Sequence, residues 1–103
     1  LIAVTNDVRV PNKPELPIFA DVVPGYDMRG WFGWIAPAAT PRDIVKRLNA
    51  EINRAMQLPQ INAKLVDLGL IVANESPEWF DKFIQNEYVK YGKLVRDIGL
   101  TPR

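Results

Sequence analysis

W-F-G-W-I-A-P-A-A-T-P-R-D-I-V-K-R-L-N-A-E-I-N-R-A-M, residues Trp31 to Met56, is the stretch whose reading decides the fold. Its opening, Trp31 to Pro37, is apolar and aromatic, about as long as a strand, and sets large groups on both faces of a pleat, the pattern of a strand covered on both sides. Gly30 and Gly33 flank the first tryptophan. Glycine inside a strand marks a bend or a close approach, so these two either make room for bulky neighbours or set Trp31 against a ligand cleft. Ala38 and Ala39 form a tight connection, after which Thr40 reads as an N-cap, Pro41 as the favoured first-turn proline and Asp43 as a carboxylate suited to the helix dipole. Ile44, Val45, Leu48, Ile52, Ala55 and Met56 recur at helical spacing and predict a helix over about 41–56 with one apolar stripe. Arg42 in the first turn runs against the dipole and reads as a solvated side chain or an anion contact at the helix start.

Downstream, Leu58-Pro59 opens a second helix, about 59–68, stopped by Gly69. Leu70 to Ala73 reads as a short strand, and Asn74-Glu75-Ser76 matches a glycosylation sequon, a pattern frequent by chance. Ser76, Pro77 and Glu78 begin the longest helix, about 77–98, ended by Gly99. Phe80, Phe83, Ile84, Tyr88, Tyr91, Val95 and Ile98 make its predicted buried stripe. Upstream, Leu1 to Thr5 reads as a short buried strand and Val8 to Pro17, with three prolines, as an extended surface connector. Ile18 to Val23 allows one helical turn before the Pro24-Gly25 turn signal.

The bulk numbers exclude much. The 103 residues suffice for one small domain. With 13 basic and 12 acidic residues spread along the chain and a net charge of +1, there is no electrostatic footprint for nucleic acid and no polybasic membrane patch. Cysteine and histidine are absent and Ser76 is the only serine, which removes thiol chemistry, the commonest general base, the commonest metal ligands and any uncommitted serine nucleophile. No catalytic residue and no metal site is read from these residues. The chain starts inside an apolar run without methionine or leader, so it reads as part of a longer polypeptide.

Taken together, a series of short landmarks resembles the receptor family of tripartite tricarboxylate transporters, the Bug-type periplasmic solute-binding proteins. They are A-V-T at Ala3 to Thr5 with Arg9 soon after, L-P at Leu16-Pro17, P-G-Y at Pro24 to Tyr26, and W-x-G at Trp31 and Gly33. They continue with A-P-A-A-T-P at Ala36 to Pro41, L-N-x-E-I at Leu48 to Ile52, L-x-x-L-G ending at Gly69, and P-x-x-F at Pro77 to Phe80. Each is weak alone; their order and spacing over essentially the whole chain make the resemblance specific. The sequence departs from the family pattern at Ala39, where glycine is usual, near Ile18, where threonine follows the proline, and at Tyr91, where tryptophan is usual. Ala39 is tolerable where its φ stays negative.

The resemblance implies an α/β fold, the C-terminal part of a two-lobed periplasmic-binding-protein-like receptor, with a few short strands and the three main helices above. By it, 1–5 is the last strand of the second lobe, 6–27 the connector between lobes, and 28–103 the C-terminal part of the first lobe. It implies a non-catalytic periplasmic receptor without a cofactor that closes around a small organic acid and delivers it to membrane permease subunits. Trp31 and Thr5, by position near the lobe junction, are the candidate ligand-binding residues, each with a structural reading beside it. The segment alone binds little and exposes apolar edges, so a homodimer of the fragment is expected. Two other readings stand beside this one: a lobe of an α/β enzyme whose active site lies elsewhere in the polypeptide, and a self-associating interaction module.

Overall fold

Helices carry the architecture because each closes its own hydrogen bonds. The computed structural model describes residues 2–100. It contains α1 (Phe19–Val22), α2 (Arg42–Met56), α3 (Pro59–Asp67) and α4 (Pro77–Asp97), with α2 packing on both α3 and α4.

The helix ends follow from the residues at them. Ser76 Oγ accepts from the Trp79 amide at 3.1 Å, the expected N-cap of α4. Gly69 and Gly99 both take positive φ, 77° and 72°, and close α3 and α4 in the same way. The Leu70 amide reaches the Leu65 carbonyl and the Leu100 amide the Val95 carbonyl, while each glycine amide bonds the next carbonyl along the helix, Val66 and Arg96. These are Schellman ends, which satisfy the last carbonyls. The start of α2 differs from expectation: the helix begins at Arg42, and no side chain caps it. Thr40 instead spends its amide on the Pro37 carbonyl in the preceding turn.

The strands are where the expected α/β architecture is corrected. Among the described residues the β-structure is a single parallel bridge, Val4 to Ile18, closed by the Val4 amide to the Pro17 carbonyl and the Phe19 amide to the Val4 carbonyl. Leu1, the first residue of the predicted strand, lies outside the described residues. Neither Trp31–Pro37 nor Leu70–Ala73 forms a strand. The reason is physical: a strand exists only with a partner backbone, and no described segment pairs with either. The tryptophan-rich stretch keeps its two-faced apolar pattern, but Phe32 is 85% exposed, and Trp34 and Ile35 are exposed as well.

The connector runs over the surface as its prolines dictate, tied by Arg9, whose guanidinium donates to the Pro14 and Leu16 carbonyls at 3.0 and 3.1 Å. Val10, within the connector itself, turns inward and is the buried apolar residue of the described chain, a departure from a wholly surface-lying segment. Phe19 of α1 meets Tyr26 edge to face at 4.6 Å, fixing the turn at Gly25. The Cα radius of gyration is 16.5 Å, where a compact domain of this length has about 13 Å. The accessible surface is 8457 Å², against roughly 5,900 Å² for a compact monomer of this mass. The difference is on the order of one side of a large obligate interface.

Candidate functional site

The best-organised side-chain cluster lies where the tryptophan-rich stretch crosses the first half of α4. Trp31 stands edge-on to Phe80 and Phe83, with centroids 5.6 and 5.4 Å away, and Phe83 stacks on Trp79 at 5.2 Å. Such pairs contribute about 0.5–1.5 kcal/mol each beyond burial. Gly33 follows one pleat later, where an added Cβ would lie 2.1 Å from Phe80 Cζ. Of the two readings of the glycines, room for a bulky neighbour holds at Gly33; around Gly30 there is open space.

The two candidate ligand residues occupy different places. Trp31 borders an open groove of about 600 Å³ along α4, lined also by Ile84, Glu87, Tyr88, Tyr91 and Val95. Thr5, exposed, borders a smaller cleft of about 240 Å³ with Asn6, Asp7, Tyr26, Asp27 and Arg29. The structure does not bring Trp31 and Thr5 into one pocket.

A chain of alternating charges joins the two hollows. Asp7 pairs with Arg29, Arg29 with Asp27 at 3.7 Å, Asp27 with Lys90 at 3.3 Å, and Lys90 with Glu87. Burial works against the Lys90 charge, yet the hydrogen bonds it donates to Glu87 and Asp27, with the charges of both, outweigh it and hold the ammonium above its ordinary value of 10.5. Glu87 is 7% exposed, and its Oε2 has neither a hydrogen-bond partner nor solvent contact. Arg29, the one cation lining the Thr5 cleft, faces two aspartates, so that cleft offers no surplus positive charge to an anion.

Sequence reasoning missed Glu87, though the signal is present. Phe80, Phe83, Ile84, Glu87, Tyr91 and Val95 follow the i, i+3, i+4 spacing of the inward face, and Glu87 takes the place assigned to Tyr88, which is 81% exposed. Arg42 is not free at the helix start: it pairs with Glu78 at 2.8 Å and ties the beginnings of α2 and α4. The backbone N–H at the α4 start is the main cause, and Arg42 and Lys46 further ones, that hold the Glu78 carboxyl below its ordinary 4.5. Asn49 and Asn53, one turn apart on α2, both donate to the Glu75 carbonyl, at 3.0 and 3.3 Å. Among the described residues no group of three or more acidic, histidine or cysteine side chains is placed to hold a metal ion. No helix among them is long and apolar enough to cross a membrane.

None of these arrangements is a self-contained reaction centre; they are packing, turn and ion-pair devices. A sequence model described as the tripartite tricarboxylate transporter family receptor matches residues 1–100. The chain belongs to that family. It is 38% identical over 102 residues to the UPF0065 protein in the tcbD-tcbE intergenic region of Pseudomonas sp. (strain P51), covering 97% of this chain and 30% of that protein. It is 29% identical over 96 residues to the UPF0065 protein in the clcB-clcD intergenic region of Pseudomonas knackmussii, covering 91% and 57%. Protein BugT of Bordetella pertussis is 26% identical over 99 residues, covering 95% and 30%. The chain thus spans about a third to somewhat over half of these relatives. No solved structure matches it.

The receptor-family landmarks can now be read physically. W-x-G sets Trp31 and Gly33 on the α4 rings. The asparagine of L-N-x-E-I holds the Glu75 carbonyl, L-x-x-L-G is the Schellman end of α3, and Pro77 and Phe80 of P-x-x-F start α4 and seat Trp31. Ala39, where the family pattern has glycine, is accommodated because, among the described residues, no non-glycine residue takes positive φ.

Proposed function

We propose that this chain is a segment of an extracytoplasmic solute receptor that binds a small organic anion, a carboxylate, and delivers it to the permease of a tripartite tricarboxylate transporter. The observation that carries the reading is the family match over residues 1–100. In the receptor, 1–5 belong to the second lobe, 6–27 cross between lobes, and 28–103 complete the first lobe, so Trp31 and Thr5 lie near the hinge about which such receptors close. The receptor is periplasmic and not an enzyme, and its partners are the organic acid and the permease subunits. The ion pairs that tie Asp7 and Asp27 of the crossing to Arg29, and Asp27 to Lys90 of α4, support a junction held by more than apolar contact.

Most of the ligand contacts come from the rest of the receptor, and the segment alone binds no acid. The test is titration of receptor-length protein with citrate, dicarboxylates and aromatic acids, followed by tryptophan fluorescence. A saturable change with at least one acid, and none from the 103-residue chain, is the expected result. Folded receptor that responds to none of them overturns the reading.

A further inference from the structure

The groove along α4 combines two properties that do not belong together on a free surface. It is lined by large apolar and aromatic side chains, Trp31, Ile84, Tyr88, Tyr91 and Val95. It also contains Glu87, a carboxylate more than nine-tenths buried, with Oε1 on Lys90 and Oε2 bonded to nothing. A buried carboxylate oxygen calls for a donor, and none of the described residues supplies one. Arg96 also lines the groove, with its Nη1 folded back to 3.7 Å from where a Cβ on Gly92 would stand, but it makes no bond to Glu87.

Charge points to the kind of donor. The connected series Asp7, Arg29, Asp27, Lys90, Glu87 alternates in sign and ends on a carboxylate at both ends. It is one cation short, and the buried end is Glu87 Oε2.

We propose that the groove seats a segment of the receptor polypeptide outside these 103 residues, with an apolar face against Trp31 and Tyr88 and an arginine or lysine side chain on Glu87 Oε2. The inference rests on the receptor reading, in which a chain covering 30% of a relative's length leaves the larger part of the polypeptide to provide that segment. Glu87 then serves as an internal docking point that fixes α4 in the lobe.

The experiment compares receptor-length protein with the dilute, monomeric 103-residue chain by hydroxyl-radical footprinting of Tyr88, with sedimentation to establish mass. In monomeric receptor, Tyr88 labelling falls about tenfold relative to the chain, and Glu87→Gln restores a several-fold part of it. Equal labelling in both proteins overturns the proposal. So does protection that disappears when a receptor dimer is diluted to monomer, which assigns the groove to a second copy, and so does protection that Glu87→Gln leaves intact. Tyr88→Glu decides the matter if Glu87→Gln does not fold: it leaves the helicity of the 103-residue chain unchanged and lowers the urea midpoint of the receptor, and an unchanged receptor midpoint overturns the proposal. Receptor that protects Tyr88 but binds no carboxylate retires the transport reading alone; receptor that binds carboxylate with Tyr88 fully labelled retires this one alone.

Discussion

Gly33 sits under the Phe80 ring with no space for another carbon. Gly33→Ala therefore forces the ring or the crossing stretch to move, at a cost of about 1–3 kcal/mol, read as a lower urea midpoint. Gly30→Ala, in open space, lacks this clash and should change the midpoint much less. The two glycines look alike in the sequence and differ only in what lies across from them, so their roles were not separable there. Lys90 yields a second residue-scale prediction. Its folded value is raised by Glu87 and Asp27 against the effect of burial, so its stabilisation is complete below pH 10.5 and fades as pH rises past that value. Lys90→Met leaves the buried Glu87 carboxylate without a partner, costs about 1–3 kcal/mol near neutral pH, and flattens this part of the alkaline loss in urea midpoints measured across pH. Glu87 itself was hidden because aromatic residues on either side of it, at 83, 88 and 91, seemed enough to fill the stripe.

The helices were legible at the scale of the element, within one residue at most ends, because their caps are local: Ser76 and Pro77 to begin, Gly69 and Gly99 to end. Strands were legible only as apolar runs, since pairing depends on distant backbone, and the Trp31–Pro37 run has no described partner. The left-handed Gly69 makes a direct test. Gly69→Ala puts a side chain at φ 77° and should cost about 1–2 kcal/mol, with the loss of helix visible by circular dichroism on thermal melting. The two asparagines of α2 make another. Because Asn49 and Asn53 share one acceptor, the Glu75 carbonyl, removing either should cost little and removing both about 1 kcal/mol. Additive single effects in thermal melts would contradict that sharing.

For the whole molecule, the surface of 8457 Å² and the radius of 16.5 Å describe a chain with more apolar area open than a compact domain tolerates. Phe32, Trp34 and Ile35 on the tryptophan-rich stretch and Ile44 and Leu48 on α2 are each exposed. At high concentration the 103-residue chain should associate, and sedimentation showing a stable monomer there contradicts this expectation. The family was legible because its short landmarks are turns, caps and close approaches, features that sequence records directly. The ligand was not, since Trp31 and Thr5 border separate hollows and the cation of the Thr5 cleft, Arg29, is paired with Asp7 and Asp27. The most direct test of the central claim is the fluorescence titration of receptor-length protein with small carboxylates. A saturable response to at least one, absent from the 103-residue chain, is predicted; folded receptor silent to every organic anion contradicts the account.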